Sequence, residues 1–425
     1  MNISEIKQKI DSIDFKKLYC CKDGEEKKYI QRFERLLDAF SKTFEKDGDI
    51  RLFSAPGRTE IGGNHTDHQH GAIVAGSLNL DVIAAVRPNG ENVIRIKSEG
   101  FPMDTVTLDS LEPDSLEYGK SSGLIRGIAA CFAKKDYKLS GFDAYTTSNV
   151  LKGSGMSSSA AFEILVAVIM NSLFAGEELS SMEIAKMGQY AENVYFGKPC
   201  GLLDQAACAS GGIVAIDFAD NQNPKAQKLN FDFAETNYAL CIIDSGADHE
   251  SLTGEYAAIT LEMRAVAEYF GKEFLNDVSP EDFYKNLADV RKTLNNDRAL
   301  LRAIHYFNDT QRAKDEAKAL KNGDFDKFLK IVSESGRSSY MYLQNVYVPK
   351  DTKNQAVSLA LALCDKLLCG RGAFRVHGGG FAGTIQAFVP YDMLESFKNG
   401  IESVFGDGMC HILSIRSVGG VEIKL

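Results

Sequence analysis

The sequence lacks most of the signatures that would remove it from the class of ordinary globular chains. Its nine cysteines form no CxxC pair, and the adjacent Cys20 and Cys21 are badly spaced for a simple bridge. Scattered single cysteines fit reduced thiols in a cytosol. No apolar run approaches the ~20 residues that span a bilayer, the longest being 164–170. The opening MNISEIKQKI spaces Ile3, Ile6 and Ile10 as a helix would, without the apolar core of a signal peptide. Positive charge is not in excess: 48 Lys+Arg against 58 Asp+Glu leave a formal charge of −10. That balance excludes a non-specific nucleic-acid or anionic-membrane surface, while leaving room for a local phosphate pocket. Internal repeats and low-complexity segments are also missing, which excludes fibrous and disordered classes. The expectation is a soluble cytoplasmic protein with no nucleic-acid or membrane partner.

What is present is a chain of 425 residues, 44% hydrophobic and 25% charged, long enough for roughly two to three domains. Charged helical sequence fills the first ~50 residues. A short strand over 51–55 then runs into an expected turn at Pro56-Gly57. Residues 72–86, rich in Ile, Val and Ala, read as buried strand, 93–97 as an exposed strand, and 142–149 as another. Helices are predicted over 123–134, 160–174 (apolar almost all round) and 180–195. A polar patch at 220–224 marks the boundary between domains 1–224 and 225–425. Beyond it come a strand at 238–244, helical sequence at 256–270, 280–345 and 356–368, and strands at 383–389, 412–417 and 421–425. Mixed helices and strands in this order indicate an α+β protein of two lobes.

Chemistry concentrates in a few segments. Lys152-Gly153-Ser154-Gly155-Met156-Ser157-Ser158-Ser159-Ala160 lies directly before the apolar helix. Its glycines let backbone N–H groups approach a ligand, the helix end favours an anion, and its serines add hydroxyls suited to phosphate or Mg²⁺. It is neither a GxxxxGK[ST] loop nor a GxGxxG fingerprint. The plainer alternative is a capped helix start, which needs one serine and not three. A second segment, 55–71, crowds Arg58, Glu60, Asn64, His65, Asp67, His68 and His70. Three readings fit it: recognition of a polyhydroxylated ligand, a metal site built on His65, Asp67, His68 and His70, or a polar surface loop. A third, Val376-His377-Gly378-Gly379-Gly380-Phe381-Ala382-Gly383, suits either close backbone approach or a structural turn. The fourth, Cys200-Gly201-Leu202-Leu203-Asp204-Gln205, sets Asp204 among apolar and small residues, where a carboxylate needs a cation or a substrate hydroxyl. An ordinary helix-start Asp is its plain alternative.

In order and spacing these segments resemble the GHMP small-molecule kinases, and among them the galactokinases. Gly57 to His68 resembles the family's GRxNxIGEHTDY sugar signature, Ser154 to Ala160 its serine-rich loop, Cys200 to Gln205 its Cys-Gly-x-x-Asp-Gln segment, and Gly378 to Gly383 its late glycine run. Ser245 to Tyr256, with His249, Ser251, Leu252, Glu255 and Tyr256, resembles the opening of the family's second lobe. The resemblance spans about residues 50 to 390. It implies a two-lobed GHMP fold, with an N-terminal lobe like ribosomal protein S5 domain 2 and a ferredoxin-like C-terminal lobe. It also implies an ATP- and Mg²⁺-dependent kinase for the C1 hydroxyl of galactose, working as a monomer or weak homodimer. On this basis Asp204 is the base or electrostatic partner and Arg58 keeps it ionised. Asn64, His65, Asp67, Gly201 and Tyr256 meet the sugar. Gly153, Ser154, Gly155, Met156, Ser157, Ser158 and Ser159 cradle the nucleotide, and Ser158 and Glu192 hold Mg²⁺.

Departures from the family pattern concentrate in the sugar signature. Asn64 stands where galactokinases carry Glu, Glu60 where they carry Asn, and His68-Gln69 where they carry Tyr-Asn. The run Asp67-His68-Gln69 is closer to galacturonate kinases. There a C6 carboxylate would be accepted by Asn64, with charge from His68 or His70. Lys152 in the loop and His377 before the glycines are further departures. Galacturonate kinase is therefore the alternative within the enzyme class. A non-catalytic regulatory sensor of sugar and ATP is the alternative outside it.

Overall fold

The computed structural model describes residues 1–45, 48–151, 155–220, 224–246 and 252–425. Strands are β1 (Arg51–Gly62), β2 (Ala72–Pro88), β3 (Val93–Ser98), β4 (Met103–Thr107), β5 (Phe142–Ser148), β6 (Ile213–Asp217), β7 (Lys225–Leu229), β8 (Tyr238–Asp244), β9 (Ala373–Val376), β10 (Thr384–Pro390), β11 (Cys410–Leu413) and β12 (Val421–Ile423). They form an eight-stranded sheet in the order β12-β1-β2-β5-β3-β4, with β6 and β7 continuing from β2, and a four-stranded sheet in the order β11-β8-β10-β9. Every named pairing is antiparallel except β3 with β5. The fold is α+β, as the sequence predicts.

Strand β2 shows why the 72–86 segment reads as one apolar run. Ile83 and Ala85 point to one face, into a core built with Leu36, Leu37 and Phe40 of the Glu26–Phe44 helix. Val82, Ala84 and Val86 point to the other, into the core of the Ser121–Lys134 and Ser158–Phe174 helices. With both faces covered, the period-two alternation of a strand loses its polar half.

The turn expected at Pro56-Gly57 is absent. Instead β1 continues to Gly62, with register shifts against β2 between Pro56 and Arg58 and between Glu60 and Gly62. Proline is tolerated inside a sheet where a bulge interrupts the ladder, and a bulge re-aims the side chains that follow it. Gly57 is required there: a Cβ would lie 2.9 Å from the Met156 carbonyl oxygen. Strands β4, β6, β7 and β9 are additions to the predicted set. The helix predicted over 180–195 starts on a Ser180–Glu183 capping box, but is α-helical only over Ser181–Tyr190 and widens into a π-turn over Ala191–Phe196.

The four-stranded sheet packs against the Ala356–Leu368 and Leu394–Phe405 helices. Between the sheets, the long Asp297–Lys321 helix contributes Ala313, Ala319 and Leu320 to the core of the large sheet. Beyond the 224/225 division, β7 pairs with β6, and β12 pairs with β1, both in the large sheet. We propose a two-lobed division that follows the sheets, with the first lobe holding residues 1–229 and the 421–423 strand. Residues 221–223, part of the predicted boundary patch, lie outside the described residues.

Candidate active site

Arg58 and Asp204, 146 residues apart, meet at the wall of a cavity of about 200 Å³. Pockets for drug-sized ligands run to ~300 Å³ and more, so the space suits a small molecule. Arg58 Nε donates to Asp204 Oδ1 at 2.7 Å, and Arg58 Nη2 lies 2.7 Å from the same oxygen. The second carboxylate oxygen accepts from Ser157 Oγ, and Arg58 Nη1 donates to the Gly155 carbonyl. Burial alone would push the Asp204 carboxyl up. The Arg58 guanidinium and the hydrogen bonds from Arg58 and Ser157 outweigh it and hold the carboxyl below its ordinary range. Asp204 sits in the first turn of the Leu203–Ser210 helix, whose dipole favours the same charged state.

Ser157 does not act as a helix cap. It precedes the Ser158–Phe174 helix in a left-handed conformation (φ 52°) and makes no capping hydrogen bond. Its hydroxyl goes to Asp204 instead, so this serine serves the cavity and not the helix end. The Met156 carbonyl accepts from the Arg58 N–H at 3.2 Å, while its side chain is buried in the core. Ser158 and Ser159 line a neighbouring, largely apolar cavity of about 250 Å³ with Phe101, Phe162 and Phe196. Lys152, Gly153 and Ser154 lie outside the described residues, as do His249 and Ser251.

The sugar-signature segment supplies the opposite wall. His65, Asp67 and Gly201 line the first cavity. His65 Nε2 donates to the Gly379 carbonyl at 2.9 Å. Burial raises the Asp67 carboxyl pKa, with His65 opposing the shift. A Cβ on Gly201 would sit 2.9 Å from Asp67 Oδ2. Gly201→Ala should therefore displace this carboxylate and raise the sugar KM about tenfold, with the KM for ATP unchanged, in steady-state kinetics.

Asn64 and Tyr256, expected among the sugar contacts, lie elsewhere. Asn64 is fully buried: its Nδ2 donates to Glu60 Oε1 (2.9 Å) and the Gly378 carbonyl (2.7 Å), and its Oδ1 accepts from Asn345 Nδ2 (2.8 Å). Tyr256 stands behind the glycine turn, its hydroxyl donating to the Gly380 carbonyl at 3.0 Å and its ring edge-on to Phe381. From β1, Glu60 faces the cavity beside Arg58. The third glycine stretch is likewise settled. Gly378 and Gly379 line the sugar-signature cavity, and His377 is buried between Thr59 and Thr384.

A metal site built on the histidines finds no geometry. Among the described residues no group of three or more His, Cys, Asp or Glu is arranged to hold a metal ion. His70 stacks on Phe274 at 3.8 Å, and burial lowers the pKa of His68 to about 3, so it is neutral. Glu192 sits on the π-turn, its Oε2 accepting from Gln205 Nε2 at 2.8 Å. The same amide donates to Glu163 Oε2 at 2.9 Å, leaving buried Glu163 Oε1 without a partner.

Family comparisons agree with this arrangement. Residues 123–212 match the family described as GHMP kinases N terminal domain, and residues 38–88 match the galactokinase galactose-binding signature. By these matches the chain resembles the GHMP kinases, and among them the galactokinases. A galactokinase of Clostridium tetani is 27% identical over 84% of this chain and 88% of its own length. Another, of Glaesserella parasuis, is 29% identical over 81% and 86%. The crystal structure of Lactococcus lactis galactokinase complexed with galactose superposes with a TM-score of 0.76 at 22% identity, covering 92% of this chain and 99% of that one. A mevalonate kinase structure superposes with a TM-score of 0.58. Both family matches include cavity residues: Arg58, His65 and Asp67 in the 38–88 signature, Gly201 and Asp204 in the 123–212 domain. Glu60 is placed by the sequence in the crowded signature segment, but without an individual contact with the sugar. Its signal was a carboxylate inside the signature, but its buried partner, Arg375, is 315 residues away.

Proposed function

We propose that this chain is an ATP- and Mg²⁺-dependent sugar kinase that transfers the γ-phosphoryl group to the C1 hydroxyl of galactose or a close relative. The carrying observation is the Arg58–Asp204–Ser157 cluster between the polyol-type cavity and the start of the Ser158–Phe174 helix. Phosphoryl transfer asks chiefly for positioning and charge stabilisation. Asp204 aligns the acceptor hydroxyl and takes its proton as the new P–O bond forms. Arg58 holds that carboxylate ionised and offers positive charge beside the transferred group. His65, Asp67 and the backbone at Gly201 orient the sugar.

For the nucleotide, the helix start favours the phosphates, and the largely apolar cavity holding Ser158, Phe101 and Phe162 would take the base. Phe101→Ala should raise the KM for ATP roughly three- to tenfold, the worth of one aromatic stack, and leave the sugar KM unchanged. Mg²⁺ ordinarily takes one or two protein oxygens and completes its shell with water and substrate phosphates. Ser158 and Glu192 offer hard oxygen donors of that kind, and the unpartnered Glu163 Oε1 is a further buried oxygen beside Glu192. Bound there, the ion would neutralise phosphate charge.

Among the described residues no helix is long and apolar enough to cross a membrane. We propose a cytoplasmic enzyme, a monomer or weak homodimer, with sugar and ATP as its partners. The deciding experiment is ADP release by the purified chain with ATP, Mg²⁺ and a panel of galactose, galacturonate, N-acetylgalactosamine, arabinose and glucose. Galactose-dependent release supports the reading. Sugar and ATP binding without release in any arm would point to a sensor.

A further inference from the structure

The lining of the sugar-signature cavity is acidic beyond what phosphoryl transfer needs. Glu60, Asp67 and Asp204 all face it, and its one guanidinium, Arg58, is engaged with Asp204. Glu60 is held firmly. Its Oε1 accepts from Arg375 Nη2 at 3.0 Å and from Asn64 Nδ2 at 2.9 Å. Arg375 is fully buried and is fixed in turn by the Ile61 carbonyl (2.6 Å) and the Val376 carbonyl (3.0 Å). The Asn345 amide fixes the orientation of Asn64, so that Nδ2 points at Glu60. Among the described residues nothing donates to Glu60 Oε2. The carboxylate is thus pinned by one oxygen, with the other left to the cavity.

We propose that Glu60 is a specificity residue of the sugar site: Oε2 accepts a hydroxyl of a neutral sugar, away from the reacting one, and its charge excludes sugar acids. This rests on the sugar-kinase reading and names the substrate class within it. Carboxylates accept hydroxyl donors well, and such charge-assisted bonds are the strong ones. A sugar carboxylate would instead meet Glu60 and Asp67, and the one guanidinium in the lining, Arg58, is already paired with Asp204. His68 and His70 do not supply a compensating cation: His68 is neutral and His70 packs on Phe274. Asn64, which from sequence alone favours a sugar acid, has both amide hydrogens engaged within the protein. The negative charge missing at residue 64 is supplied four residues earlier.

The test uses the full chain with saturating ATP and Mg²⁺. Substrates are galactose, its 2-, 3-, 4- and 6-deoxy analogues, and galacturonate, assayed with the native chain, Glu60→Gln and Glu60→Ala. The native chain should turn over galactose and discriminate against galacturonate by about 100-fold or more in kcat/KM. Glu60→Gln should raise the galactose KM about 10- to 100-fold, the usual weight of a hydrogen bond to a charged group, with kcat and the KM for ATP nearly unchanged. One deoxy analogue should lose affinity in the native chain and lose about tenfold less in Glu60→Ala, a coupling that general destabilisation cannot mimic. Should neither variant fold, discrimination between galactose and galacturonate by the native chain still decides. Equal use of galacturonate, or no coupling at any deoxy position, overturns the proposal while leaving the kinase reading standing. Failure to phosphorylate any sugar overturns the kinase reading itself, and the proposal with it.

Discussion

Asp204→Asn should lower kcat by roughly 10²- to 10⁴-fold, the span typical of a lost general base, while Arg58 keeps a hydrogen-bond acceptor, Ser157 keeps a hydrogen-bond partner and the fold is retained. The physical basis is the charge and not the shape of residue 204. Asn can still accept from Arg58 Nε through its one amide oxygen and donate its N–H to the Ser157 hydroxyl oxygen, but cannot take a proton from the acceptor hydroxyl or balance the guanidinium. Because Arg58 outweighs burial and holds the Asp204 carboxyl below its ordinary range, this carboxylate is ionised throughout the neutral region. The acid limb of kcat/KM assigned to it therefore lies below about pH 4, the ordinary aspartate value, and should vanish in the Asn variant. A base held so acidic takes its proton late. That fits a loose phosphoryl-transfer transition state, in which the nucleophile carries little new charge until the phosphoryl group has nearly moved. Rapid-quench or coupled-assay kinetics, with circular dichroism on the same samples, give the comparison. An Asp204→Asn enzyme retaining kcat within about threefold would remove Asp204 from the mechanism. The Arg58→Gln/Asp204→Asn double variant should lose little more than the worse single one, since the pair acts as a unit.

The largest expected loss of stability lies away from the cavity. Asp81 in β2 is fully buried and accepts from Tyr19 Oη (2.7 Å), Ser54 Oγ, Arg32 Nη1 and Arg416 Nη1 (3.2 Å). One carboxylate thus joins the Phe15–Tyr19 and Glu26–Phe44 helices, strands β1 and β2, and the segment before β12. Asp81→Asn leaves two buried guanidiniums without a counter-charge. Breaking a buried pair in this way costs about 3–5 kcal/mol, a fall in Tm on the order of 10 °C. Burial pushes the Asp81 carboxyl up, but Arg32, Arg416 and Ser54 more than reverse this, so its folded-state pKa is depressed. Its contribution is complete above the unfolded value of ~3.9 and is lost as pH falls below that through the folded value. Thermal melts at pH 7 and across pH 2–5 would show both effects. An Asn variant as stable as the native chain at pH 7 would refute the account.

Local chemistry was legible in the sequence, and pairings over distance were not. The glycine–serine segment, the histidine-rich signature and the Asp204 segment announce themselves, because each packs unusual residue types into a few positions. What no pattern shows is that Arg58 reaches Asp204, or that Ser157 abandons its helix cap to join them. The reading of Asn64 as a sugar contact failed for the same reason. Its partners Asn345 and Gly378 are about three hundred residues away, and they turn its amide inward. Strand β7 was missed because its KAQKL sequence is mostly exposed and has little apolar alternation. In β1 the Pro-Gly pair imitates a turn, and the bulge that accommodates it is set by the neighbouring strand.

The pairing of β12 with β1 has a consequence for the order in which the molecule can be assembled. Leu52, Phe53 and Ser54 face Ile423, Glu422 and Val421 across the ladder, and Arg416 reaches Asp81 from the same end of the chain. As the polypeptide leaves the ribosome, this edge of the large sheet stays open while some 350 further residues are made. The first-made lobe therefore stays open at this edge, exposed to mispairing, until the 421–423 strand has emerged.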